Sequence, residues 1–144
     1  MRQAIAEAEK AFLRKEIPIG AVIVSESNGA RRVIARAHNL TETLGDPTAH
    51  AEMQAITSAT GTLGGKYLPD CTLYVTVEPC PMCAAACYWA RIGRVVWGAD
   101  DPKRGFSRFG ADLLHPKTLA VKGVCETECS EIVTRFFQKI RNAR

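Results

Sequence analysis

The chain has 144 residues, 47% of them hydrophobic and 24% charged, which is enough for one compact domain, taken here as residues 1–144, and too little for two ordinary ones. No apolar run approaches the roughly 18 residues of a membrane-spanning helix, and the opening MRQAIAEAEK lacks the apolar core of a signal peptide, so a cytoplasmic location is expected. The net charge of +4 is uneven: residues 1–90 hold eight basic and nine acidic side chains, residues 91–144 eleven and six, which suits either an anionic partner such as RNA or an ordinary solvated face.

Residues Met1–Lys15 repeat apolar side chains at Ala4, Ile5, Ala8, Ala11 and Phe12, a helical stripe with Arg2, Glu7, Lys10 and Arg14 left for the wet face. Pro18 should stop that helix. Ile19–Val24 reads as a buried strand, Ser27-Asn28-Gly29 as a turn, and Arg31–Ala37 as the returning strand of a hairpin. Thr41–Pro47 is expected to be a loop. Thr48 is the predicted cap of a helix through His50, Glu52 and Ile56, ended by Gly61, Gly64 and Gly65. Cys71–Val77 is a strong strand, and Pro79 or Pro81 opens a helix reaching Ile92. Arg94–Gly98 is a further strand, Asp100–Gly110 a charged, glycine-containing loop, and Leu119–Val124 a last strand. A final helix begins near Glu126 or Thr127, with an apolar stripe at Ile132, Val133, Phe136, Phe137 and Ile140. Strands separated by single helices after a hairpin imply an α/β domain, a mixed five-stranded sheet in a three-layer α/β/α arrangement.

Six cysteines without a secretory signal point to metal binding or buried thiols rather than disulfides. Cys80 and Cys83 form a CxxC pair at a helix start, where free N–H groups favour thiolates. That pair alone fits zinc or thiol redox chemistry. The hairpin-then-helix order, Pro79 ahead of the first cysteine, and the separate His50 with its own carboxylate favour zinc. His50, Cys80 and Cys83 make three protein ligands, which leaves a fourth position for a catalytic water. Glu52, two residues from His50, suits a general acid/base rather than a ligand. Cys87, Cys125 and Cys129 read as small buried apolar residues, His38 and His115 as structural, and Trp89 as core.

HAE at His50–Glu52 and PCPMC at Pro79–Cys83 form the H-x-E…P-C-x-x-C signature of zinc nucleobase deaminases. The sequence resembles the cytidine deaminase superfamily, most closely the bacterial tRNA adenosine deaminases. The likeness runs through EIPIGAVIV, HN, DPTAHAE, TLYVTVEPCPMC, RIGRVVWGADDPKRG and ECSEIVTRFFQKIR, nearly the whole chain. It implies a cytidine-deaminase-like fold, one zinc ion per chain on His50, Cys80 and Cys83, and proton shuttling by Glu52. It further implies a nucleoside contact at Asn39, a base pocket lined by the backbone of Ala51, Glu78 and Pro79, and a nucleotide-facing loop at Asp101. Lys103, Arg104, Arg135, Lys139 and Arg141 are possible RNA contacts, the anticodon arm of a tRNA the expected substrate, and a homodimer the expected assembly. One stretch departs: Tyr88-Trp89-Ala90-Arg91 is similar to bacterial guanine deaminases, whereas the closing helix is like the tRNA enzymes. A deaminase of free guanine, or less so of cytosine or cytidine, is the enzyme alternative. An inactive RNA-binding zinc module is the non-enzyme one.

Overall fold

The computed structural model describes residues 1–144, and the hydrophobic alternation of its strands sorts side chains onto two helical layers. Helix α1 (Arg2–Leu13) is followed by the hairpin β1 (Gly20–Ser25) and β2 (Arg32–His38), then a single turn α2 (Thr41–Leu44) and helix α3 (Ala51–Leu63). Strand β3 (Cys71–Val77), helix α4 (Pro81–Ala90) and strand β4 (Arg94–Ala99) form a crossover unit, and the short strand β5 (Leu119–Val121) and helix α5 (Glu126–Asn142) complete the chain. The sheet order is β2-β1-β3-β4-β5. β1 runs antiparallel to both β2 and β3, while β3, β4 and β5 are mutually parallel.

Period-two alternation assigns the faces. Ala21 and Ile23 of β1, Leu73 and Val75 of β3, and Val95 and Trp97 of β4 join Ala51, Ala55 and Ala59 of α3 and Ala84, Cys87 and Ala90 of α4 in the main core. Val22, Val24 and Tyr74 turn the other way, toward Ala4 of α1. The α1–α5 layer packs so closely that two glycines are required: a Cβ on Gly20 would meet the Ala4 carbonyl, and one on Gly98 the Cys129 sulfur. The expected three-layer mixed sheet is therefore present, with α3 and α4 on one face and α1 and α5 on the other.

The differences from expectation have physical causes. Glu7 is buried rather than wet, because its carboxylate pairs with Lys10 and with His38 Nδ1. Within the expected loop, residues 41–44 make a helical turn, since the fully buried Glu16 accepts the free N–H groups of Glu42 at 3.0 Å and Thr43 at 2.6 Å. Thr48 does not cap α3; its N–H and hydroxyl both donate to Asp46, and His50 itself occupies the N-cap. α3 continues through Gly61 to Leu63 and ends at Gly64, which is left-handed at φ 72°. Trp89 is 77% exposed, not core: α4 seats its small residues, Cys83, Ala84, Cys87 and Ala90, against the sheet, which throws Trp89 outward. Cys87 and Cys129 are buried as expected, but Cys125, the left-handed residue before α5, is only half-buried. No helix is long and apolar enough to cross a membrane.

Candidate metal centre and active site

Two helix starts converge at one end of the strands, beside the exit from the central strand β3. His50 is the N-cap of α3 and Cys80 the N-cap of α4, both in extended backbone conformation, with Pro81 at the first helical position. The register of β1 against β3, with Ala21 opposite Val75, brings the entry to β1 beside the exit from β3. Asn39 N–H donates to Ile19 C=O at 3.1 Å, so the segment after β2 reaches the same end of the sheet. The free N–H groups and dipoles of both helices point positive ends at the site, which favours thiolate and carboxylate there.

His50 Nδ1 lies 3.7 Å from Cys80 Sγ and 3.5 Å from Cys83 Sγ. The three donor atoms all fall within 4.8 Å of one another. Tetrahedral zinc with ordinary Zn–N and Zn–S bonds requires N···S edges of about 3.6 Å. The donor set thus matches zinc in both chemistry and spacing. Hydrogen bonding from Cys83, against the effect of burial and with help from His50, holds the Cys80 thiol down at about 4. The proton shared with Cys80 and burial push Cys83 up, so between the two thiols the first negative charge sits on Cys80. Cys87, one turn further along α4, is raised by burial and stays a neutral thiol.

Glu52 follows His50 on the first turn of α3 and is only 3% exposed. Its Oε1 is buried without a hydrogen-bond partner. Burial raises its carboxyl to about 7, with the Cys80 charge adding to the effect and His50 opposing it. An orphaned buried carboxyl oxygen is costly unless something else uses it.

The remaining expected residues are distributed around this centre. Asn39 is buried, with Nδ2 3.5 Å from Thr41 Oγ1, and Ala51 is fully buried. Glu78 N–H is spent on Ala99 C=O, and Pro79 C=O accepts Phe106 N–H. The Glu78 carboxylate accepts Asp101 N–H at 3.1 Å, Ser107 N–H at 3.0 Å and the Ser107 hydroxyl at 2.6 Å, so it clamps the loop after β4 to the segment that carries Cys80. Asp101 in turn accepts the N–H groups of Lys103 and Arg104, whose side chains are exposed. Arg135 and Lys139 lie on the α1 face, both over the Phe12 ring, with Arg135 paired to Glu9. Arg141 is exposed near the end of α5. The Glu78 clamp has no sequence signature because two of its three hydrogen bonds come from backbone N–H groups and the third from a serine hydroxyl 29 residues away.

Residues 1–99 match the cytidine and deoxycytidylate deaminase zinc-binding region. A tRNA-specific adenosine deaminase of Bacillus subtilis is 46% identical over 149 aligned residues, spanning 100% of this chain and 90% of that protein. A structure solved in a study of A-to-I editing by tRNA:A34 deaminases at the wobble position of transfer RNA has a TM-score of 0.82 and 46% identity, over 92% of this chain and 96% of its own. Guanine deaminase from Bacillus subtilis is also similar, at 42% identity and a TM-score of 0.62, but over 69% of this chain and 61% of its own. The family signature and the nearly full-length relatives agree, and the chain belongs to the cytidine and deoxycytidylate deaminase family, in the branch of the tRNA-specific adenosine deaminases.

Proposed function

We propose that the protein converts the wobble adenosine of a tRNA anticodon arm to inosine, releasing ammonia. The chemistry rests on one observation above all: the unpartnered Glu52 oxygen beside His50, Cys80 and Cys83. Those three residues would hold zinc, leaving the fourth ligand position to a water. The metal would supply a nucleophile near neutral pH by lowering the pKa of water. Glu52, with its carboxyl at about 7, is suited to take the proton of the attacking water and return protons to the ring and to the leaving amine. The C–N bond breaks, ammonia departs and a carbonyl remains on the ring.

Asn39 and the backbone at Ala51, Glu78 and Pro79 would frame the nucleoside, the loop at Asp101 would face it, and the base would enter unpaired. RNA as substrate is supported by the relatives, whose likeness covers α5 as well as the metal site. Lys103, Arg104 and Arg141 are exposed and free to meet phosphates, whereas Arg135 and Lys139 must first leave Phe12. A homodimer would cover the aromatic face of α4, where Trp89 is 77% and Tyr88 37% exposed.

The deciding experiment is a substrate panel: a tRNA-arginine anticodon stem-loop, adenosine, guanine, cytosine and cytidine. Inosine formed in the stem-loop, with affinity that weakens steeply as salt rises, is expected. Ammonia from guanine with none from the stem-loop would replace RNA by a free base. A zinc-loaded protein inactive on every member would leave only a binding module.

A further inference from the structure

Gln54 sits at the fourth position of α3, one turn beyond His50. Its Nε2 donates to the carbonyls of His38 at 2.9 Å, Ala49 at 3.1 Å and His50 at 3.4 Å. All three neighbours only accept, which orients the amide with nitrogen inward. The His38 carbonyl belongs to the residue directly before Asn39. The Ala49 and His50 carbonyls belong to the turn that delivers His50 and Glu52 into α3. One side chain therefore bridges the end of an edge strand and the start of a helix in another layer. The backbone joins the same two segments through Leu40 N–H, which donates to Ala49 C=O at 3.0 Å.

We infer that Gln54 is a positioning residue that sets Asn39 against His50 and Glu52, so that a nucleoside held by Asn39 meets the reacting centre in register. The inference rests on the roles proposed above for those three residues. Gln54 itself touches neither ligand atoms nor the Glu52 carboxyl by hydrogen bond; it acts through the two segments it ties. Shifts of about 1 Å between a bound substrate and a catalytic group cost on the order of a hundredfold in rate, so such a tie has kinetic leverage without chemistry of its own.

Two variants test it. Gln54→Met keeps the chain length and removes both donors, and Gln54→Glu keeps the shape while setting an acceptor against three carbonyls. Zinc content, thermal midpoint, kcat and KM are measured on the stem-loop for each, alone and combined with Asn39→Ala. Zinc content equal to wild type and kcat/KM lowered about ten- to a hundredfold are expected for both. On the Asn39→Ala background the further loss should be under about twofold, because the residue being positioned is gone. Unchanged kcat/KM per zinc-loaded molecule in both variants, or the full loss added on top of Asn39→Ala, would overturn the inference, even if the thermal midpoint drops. Wild-type activity on guanine alone sinks the RNA reading but not this one, since the same ratios are then read on guanine. A wild type inactive on the whole panel overturns both.

Discussion

His50 and Cys83 stand 33 positions apart in the chain and 3.5 Å apart at Nδ1 and Sγ. With Cys83 fully buried, no water can replace its sulfur cheaply. Cys83→Ser should lower zinc affinity by at least about a hundredfold, since it would remove one of the three proposed protein ligands. Metal analysis of protein purified with and without added zinc checks this, and wild-type protein that takes up no zinc would end the metal reading.

Substitutions at Glu52 test catalysis apart from metal binding. Glu52→Ala should retain zinc and fold and lose at least about a hundredfold in turnover, the scale of a lost acid/base group. Glu52→Gln should lose activity as severely while folding at least as stably, because it removes a carboxyl that burial already disfavours ionising. Near-normal turnover in either variant would remove Glu52 from the proton path.

Stability against acid should depend on Glu16. Burial opposes its ionisation, but hydrogen bonds from the Thr43 hydroxyl and N–H and the Glu42 N–H outweigh that and hold its carboxyl below the usual 4.5. A depressed folded-state value adds stability that is present above 4.5 and disappears as pH falls through the folded value. The wild-type thermal midpoint should thus drop more between pH 6 and pH 3 than that of Glu16→Gln. At neutral pH Glu16→Ala should cost about 3 kcal/mol, with two N–H groups of the Thr41–Leu44 turn left unpaired. Parallel acid titrations of the two proteins would contradict the assignment.

Gly105 lies against the Glu78 carboxylate, and a Cβ there would overlap it. Because three hydrogen bonds hold that carboxylate, Gly105→Ala should dislodge the loop from Asp101 to Ser107. Zinc content should stay unchanged while KM for the stem-loop rises several-fold. A normal KM would free this loop of any part in substrate binding.

Trp89→Ala should change monomer stability by less than about 0.5 kcal/mol, as for other exposed sites. Trp89→Glu should convert a homodimer to monomer in light scattering. An unaffected dimer would move the interface elsewhere.

The grouping of His50, Cys80 and Cys83 was legible from order and spacing. A histidine two residues from a glutamate at one helix start, and a CxxC pair at the next, bring the same groups together wherever those helices converge. The strands were legible too, Cys71–Val77 to the residue, because β-branched runs between turns leave few alternatives. Trp89 is exposed despite its hydrophobicity because the face of α4 that packs is the small-residue one, Cys83, Ala84, Cys87 and Ala90, a spacing present in the sequence. Other features had no local signature. The Thr41–Leu44 turn exists because Glu16 reaches it across more than two dozen residues. Glu7 is buried because His38 meets it, and Glu78 holds a loop by its backbone.

Side-chain type and short-range periodicity thus determined which residues are candidates to hold zinc and which carboxyl is the candidate proton carrier. Only tertiary structure decided how firmly they are held and against what. The ties are hydrogen bonds that the Glu16 and Glu78 carboxylates accept from backbone N–H groups and that the Gln54 amide donates to backbone carbonyls, and every residue but proline carries both an N–H and a C=O. Nothing in the order of side chains marks which of those groups a carboxylate or amide will find.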